Sequence, residues 1–103
     1  MNDVIKGVDE DLNDVPRQFS LDQNNPNPFN PFTAIRFGLP GECEVTIEVF
    51  NILGQRVATL QKGSKPAGYH TVHFDGSVVS SGVYYYRMKA GAFNSVKKML
   101  LVK

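Results

Sequence analysis

The sequence has few of the residues that bind metals or form covalent cross-links. Among 103 residues there is one cysteine, Cys43, there are two histidines, His70 and His73, and there is no tryptophan. One cysteine cannot form an intramolecular disulfide or a thiolate metal cluster. The two histidines are three positions apart, so in a strand they point to opposite faces and cannot bind one metal by themselves. We therefore expect no metal and no cofactor.

The sequence also has no large net charge and no long apolar run. The formal net charge is +1, which argues against a nucleic-acid partner, because binding nucleic acid requires many neutralised phosphates. No apolar run approaches the roughly 20 residues that span a bilayer, so we expect no membrane span. The charge is unevenly divided: residues 1–18 sum to −3 and residues 19–103 to +4. The sequence predicts an acidic flexible linker over 1–18 and one domain over 19–103.

The first residues lack the features of a targeting signal or a calcium loop. Residues 1–8 are acidic and have no apolar centre, unlike a secretory signal peptide. We expect a cytoplasmic protein or a fragment whose export signal lies upstream of Met1. The acidic residues 9–14 lack the glycine and the final glutamate of an EF-hand loop, so a solvated linker is the better interpretation.

The sequence shows no pair of potential catalytic residues at a spacing that would bring them together. Glu44 and Glu48 would share one face of a strand, but four residues apart they are separated by roughly 13 Å, too far for a glycosidase pair. No glycine-rich phosphate loop occurs. The sequence therefore predicts a protein that is not an enzyme.

Alternation of apolar and polar residues is the dominant pattern. It predicts a short edge strand near residues 19–21, strands at 33–39, 43–49, 56–60 and 69–75, and a closing hairpin that returns along 96–102. A tight turn at residues 52–55 would use a positive φ at Gly54, and residues 61–68 are predicted to form a polar loop. About seven short strands without a helical period favour an all-β, immunoglobulin-like antiparallel β-sandwich, with a small barrel as the alternative.

The segment 23–31 contains three prolines, Pro26, Pro28 and Pro31. Each proline fixes its own φ and disfavours helix in the residue before it, which predicts an extended, rigid connector. We expect Phe29 to fill an apolar gap, and we expect the asparagines of the segment to bond to their own backbone in turns.

The closing hairpin combines apolar and basic residues. Tyr84, Tyr86 and Met88 share the inward parity, and Gly91 allows the turn. Removing residues 100–103 should delete two inward apolar side chains. The hairpin has no acidic residue, and its basic residues on the outer face and near the chain end are candidates for recognition: Arg87, Lys89, Lys97, Lys98 and Lys103. Tyr85 alone would face outward, where a cross-strand aromatic pair is expected, with a carbohydrate platform as the alternative.

Three stretches occur in an order that resembles a known family. They are residues 25–40 with Asn-Pro-Asn-Pro-Phe-Asn-Pro, residues 49–57 around Asn51 and Gly54, and residues 81–87 with Gly-Val-Tyr, followed by a lysine-bearing terminal strand. Together they resemble the type A C-terminal sorting domain of the type IX secretion system. That family resembles, more distantly, the immunoglobulin-like domain of flagellar hook-capping proteins. The resemblance spans residues 19–103.

The resemblance implies a non-catalytic sorting signal for a cargo fused upstream. It implies, as in Bacteroidetes, passage through the periplasm, recognition by the outer-membrane translocon, removal by a sortase-like peptidase and a final location outside the cell or on its surface. Cleavage would fall within residues 1–22. The alternative function is a structural, carbohydrate-binding or adhesive module of a secreted protein. The residues that match the family motifs are Pro26, Asn27, Pro28, Phe29, Gly54, Gly82, Tyr84, Lys97, Lys98 and Lys103.

Overall fold

The regular elements of the domain are all β-strands. A computed structural model of the chain describes residues 15–103, so the predicted linker lies mostly outside the described residues. The strands are β1 (Ser20–Leu21), β2 (Phe32–Leu39), β3 (Cys43–Phe50), β4 (Arg56–Lys65), β5 (Gly68–Asp75), β6 (Gly82–Ala90) and β7 (Phe93–Leu101). No part of residues 15–103 is a helix long and apolar enough to cross a membrane.

The seven strands form two antiparallel sheets. One has three strands in the order β1-β2-β5, and the other has four in the order β4-β3-β6-β7. This arrangement confirms the predicted β-sandwich. The more specific immunoglobulin-like relationship stays a prediction.

The core lies between the inner faces of the two sheets. Ile35, Phe37 and Leu39 of β2 are fully buried, and so are Val45 and Ile47 of β3. Burying one such side chain stabilises a fold by roughly 1.5–3 kcal/mol. Period-two alternation therefore gave the inward faces of both strands correctly.

The fourth strand is twice as long as the sequence predicts. We expected a strand over 56–60 and a polar loop over 61–68, but β4 continues to Lys65, which lies opposite Cys43. Its later residues pair through backbone hydrogen bonds, which do not depend on apolar side chains. Because β4 is an edge strand and partly exposed, its side chains can be polar.

The expectation for the chain end was wrong in one respect. Of residues 100–103, only Leu101 points inward, with 1% of its surface exposed, whereas Leu100 is 39% and Val102 is 48% exposed. Leu101 shares the inward parity with Met99 on β7. The terminal segment therefore contributes one core side chain, not two.

Candidate functional site

The proline-rich segment lies against the C-terminal strand. The amide of Phe29 donates to the Leu100 carbonyl at 2.9 Å, and the Val102 amide donates to the Phe29 carbonyl at 2.9 Å. The Asn27 side-chain oxygen accepts a hydrogen bond from the Leu100 amide at 3.0 Å. Because β7 is the edge of its sheet, these bonds occupy backbone groups at its end that would otherwise face solvent.

The other side of the segment is bound to β2. The buried Asn24 side chain donates to Thr33 Oγ1 at 3.0 Å and to the Pro26 carbonyl at 3.1 Å, and Thr33 Oγ1 also donates to that carbonyl. The backbone of Asn25 exchanges two hydrogen bonds with Ala34. The segment is thus fixed between β2 and β7.

These contacts correct the expectation for the asparagines. Asn24 bonds locally, to the carbonyl of Pro26. Asn27 instead bonds Leu100, 73 positions away. Sequence spacing could not reveal this partner, because it becomes a neighbour only when β7 pairs with the rest of the sheet.

Phe29 fills a gap in the core, as predicted. Only 1% of its surface is exposed, and its ring meets the ring of Phe74 edge-on with centroids 5.9 Å apart. A Cβ placed on Gly76 would lie 3.2 Å from the Phe29 ring and 2.9 Å from Leu101. A glycine at position 76 therefore leaves the space that Phe29 and Leu101 occupy. The neighbouring Pro28 follows a cis peptide bond.

Gly54 has the positive φ that the sequence predicts, +80°. It lies in a turn that the Asn51 side chain closes. Asn51 Oδ1 accepts the amides of Leu53 at 2.9 Å and Gln55 at 3.0 Å, and Asn51 Nδ2 donates to the Gln55 side chain at 2.8 Å. The turn therefore has a fixed shape although its tip is in solvent.

Gly82 and Tyr84 begin the closing hairpin. Gly82 has a φ of +148° and lies opposite Leu101 in β7. The Tyr84 hydroxyl donates to the Ser80 carbonyl at 2.6 Å. These contacts fix the entry of the chain into β6.

The three lysines of the motif do not share one face. Lys98 is exposed on the outer side of β7, Lys97 is half-buried on the inward parity opposite Tyr86, and Lys103 lies beyond the strand. The Lys103 ammonium group donates to the Ser77 carbonyl at 2.8 Å. The three lysines therefore do not form one continuous basic surface, and their role in recognition stays a prediction.

The histidines lie on opposite faces of β5, as predicted. His70 is half-buried against the Phe37 ring, with centroids 5.3 Å apart, and its Nε2 lies 2.8 Å from the Pro66 carbonyl, whereas His73 is exposed. Within residues 15–103 no three His, Cys, Asp or Glu residues form a group that could hold a metal ion.

Glu48, on the outer face of the four-stranded sheet, contacts two arginines. Its carboxylate accepts hydrogen bonds from Arg87 at 3.0 Å and Arg56 at 3.2 Å. Partial burial disfavours the charged carboxylate, but the hydrogen bonds from Arg87 and Arg56 outweigh it and hold the Glu48 pKa below its ordinary 4.5. Glu48 is thus more than a solubilising charge.

An open groove of about 330 Å³ lies beside this ion network, and the sequence did not predict it. Its lining includes Phe50, Ile52, Tyr85, Arg87 and Val96. The register places Phe50 opposite Tyr85, which agrees with the expected cross-strand aromatic pair. The sequence did contain an indication of this groove. Each of β3, β6 and β7 has one large apolar residue at an outward-facing position: Phe50, Tyr85 and Val96.

Comparison with known proteins gives one positive result. A family model described as a secretion system C-terminal sorting domain matches residues 25–103. None of the curated proteins compared with the chain matches it. The matched range contains all the residues that the motifs single out.

Proposed function

The chain belongs to the family of secretion system C-terminal sorting domains, and we propose that the signal its partners recognise is the folded sandwich rather than a linear tail. A domain of this family is the C-terminal sorting signal of type IX secretion. Membership implies contact with the type IX machinery, an upstream cargo, and secretion to the cell surface or the extracellular space. Sorting domains of this family are in general non-catalytic.

The export route that we propose has three steps. The cargo and this domain cross the periplasm together, the outer-membrane translocon recognises the domain, and a sortase-like peptidase cleaves within residues 1–22. The position of the first strand, Ser20–Leu21, supports a domain of residues 19–103 preceded by a linker over 1–18.

The motif residues are proposed to act in two ways. Pro26, Asn27, Pro28 and Phe29 hold the terminal strand in place, which the hydrogen bonds of Asn27 and Phe29 to β7 support. Gly54, Gly82 and Tyr84 fix turns at the same end of the four-stranded sheet, where Phe50 lies opposite Tyr85 and Gly82 lies opposite Leu101. The lysines of the motif are proposed to contact the secretion machinery directly: Lys97, Lys98 and Lys103.

The match over residues 25–103 is the observation that carries this function. The test is to fuse residues 1–103 to an exported reporter in a bacterium that has the type IX machinery. We expect the reporter outside the outer membrane, and we expect a mutant host without the translocon to retain it. Retention of the reporter in the periplasm of the competent host would contradict sorting.

A further inference from the structure

Large apolar side chains are exposed on the outer side of the four-stranded sheet and on the turn between β3 and β4. Ile52 is 70%, Leu53 77%, Val96 56% and Tyr85 37% exposed. With Phe50 and Arg87 we call these residues the outer apolar surface. Exposed apolar patches with a polar rim commonly mark interaction sites.

The protruding part of this surface is held in one shape. Ile52 and Leu53 lie at the tip of the turn that the Asn51 side chain closes through three hydrogen bonds. A turn whose backbone is already fixed loses little backbone freedom when a partner covers it. The arrangement favours binding over a chance exposure of apolar residues.

Arg87 lies at the border between the apolar groove and the charged residues around Glu48. Its guanidinium carbon is 4.9 Å from the centroid of the Phe50 ring, and its Nη2 donates to Glu48. Its Nε is buried and has no hydrogen-bond acceptor among the described residues. Arginine and tyrosine beside an apolar groove are typical of the residues that dominate binding energy at protein interfaces.

The charge on this sheet face selects the kind of partner. By strand register the face carries Arg56, Lys62, Arg87, Lys89 and Lys98 against Glu44 and Glu48, which is five positive and two negative charges, a sum of +3. A second copy docked face to face would place like charges together. A partner with carboxylates would not.

The groove distinguishes a protein from a lipid surface. A bilayer can cover Ile52 and Leu53 at the turn, but it does not fill the recess of about 330 Å³ that Phe50, Tyr85 and Val96 line. A protein side chain can fill that recess. Concave apolar pockets with a few polar groups are the usual form of a specific site.

We propose that the outer apolar surface docks on an acidic protein surface of the secretion machinery that inserts an apolar side chain into the groove beside Arg87. This inference rests on the proposed sorting function and adds the face of the domain that is read. The partner is defined by its carboxylates and by one branched or aromatic side chain.

The test uses the full chain fused to the exported reporter, with Ile52→Asp and Val96→Asp as separate variants. Val78→Asp is the matched control, because Val78 is 90% exposed and lies in the connection after β5. We expect each surface variant to reduce secretion about tenfold, the effect of losing one strong interface contact. The control should be secreted like the unmodified fusion.

Three experiments separate loss of folding from loss of docking. The thermal unfolding midpoint of each purified variant should stay within a few degrees of the unmodified chain. Lys98→Glu, an exposed charge reversal on the same face, should reduce secretion as well. In cells, a photo-cross-linking residue at position 96 should label an outer-membrane component of the secretion machinery, and one at position 78 should not.

Each other outcome contradicts a defined part of the inference. If the unmodified fusion is secreted and both Asp variants are secreted equally well, the docking surface is wrong and the sorting function stands. If the unmodified fusion stays in the periplasm, both fail. If the chain dimerises and Ile52→Asp abolishes the dimer, the partner is a second copy of the chain. If the chain binds vesicles of phosphatidylethanolamine and phosphatidylglycerol and Ile52→Asp abolishes that binding, the partner is a membrane.

Discussion

At the scale of single residues, Tyr86 connects the two sheets. Its ring is fully buried, and its hydroxyl donates to the Asp22 carbonyl at 2.6 Å, next to β1. Burial raises the pKa of Tyr86 from 10.0 to about 12. The fold therefore favours the neutral phenol.

The raised pKa predicts a loss of stability at alkaline pH. A group whose pKa is higher in the folded state contributes stability below its unfolded pKa and loses it as pH rises through the folded value. For Tyr86 this window runs from 10.0 to about 12, and two pKa units correspond to roughly 3 kcal/mol. Urea unfolding across this range should show the decline.

Tyr86→Phe is the matched control, because it keeps the ring and removes the ionisable group. The variant is expected to start about 1–2 kcal/mol less stable at neutral pH, since the Asp22 carbonyl loses its donor. Its free energy of unfolding should decline less steeply above the ordinary tyrosine pKa. Equal slopes for both proteins would show that Tyr86 does not titrate as described.

Gly54 provides a second prediction at this scale. Its φ of +80° is a conformation that L side chains rarely adopt, although no atom would crowd an added Cβ. Gly54→Ala should therefore cost about 1–2 kcal/mol of unfolding free energy through backbone strain alone. Thermal or urea unfolding measures the difference.

Gly41→Ala is the comparison for Gly54. An added Cβ at Gly41 also meets nothing within 4 Å, and its φ is not positive. That substitution should be neutral or slightly stabilising. If both glycines respond alike, backbone conformation is not what position 54 requires.

At the scale of elements, β7 is bound on both of its edges near the chain end. It pairs with β6 along its whole length, and its last residues also pair with the segment around Phe29. Sequence alternation found this strand but not its second partner, because a proline-rich segment has no strand pattern of its own. Only the closed sandwich brings residues 27–29 beside residues 100–102.

Deleting residues 100–103 should therefore cost roughly 3–5 kcal/mol, the sum of one buried leucine and several backbone hydrogen bonds. Of the deleted residues, only Leu101 contributes a buried side chain to the core. Denaturant unfolding of the truncated chain gives the value directly.

Deleting only residues 102–103 is the control. It keeps Leu101 and the bond from the Phe29 amide to the Leu100 carbonyl, and it removes the bond that Val102 donates to Phe29. The expected cost is about 1–2 kcal/mol. If both deletions cost the same, Leu101 does not have the core role that its burial indicates.

At the scale of the whole molecule, the closing hairpin depends on the earlier strands. β6 pairs with β3 as well as β7, and the inward side of Tyr86 and Met88 packs in the shared core. An isolated two-stranded hairpin is marginally stable at best in water. A peptide of residues 82–103 should show little ordered structure by circular dichroism.

The same peptide fused to the exported reporter should not direct it outside the cell. The fusion with residues 1–103 in the same host is the reference for secretion. Efficient secretion through the peptide alone would mean that the signal is a linear sequence, contrary to the proposed folded surface.

The sequence alone determined the β class, most strand positions and the inward residues, because alternation of side chains is a local property of a strand. It also carried the family motifs. It did not determine the length of β4, the partner of Asn27 or the outer groove. These depend on which edges and faces meet after the chain closes on itself: backbone pairing extends β4, Leu100 binds Asn27 from 73 positions away, and side chains of three strands form the groove. Alternation shows which side chains face outward on each strand, but it does not show which strands become neighbours, so these contacts follow only from the folded arrangement.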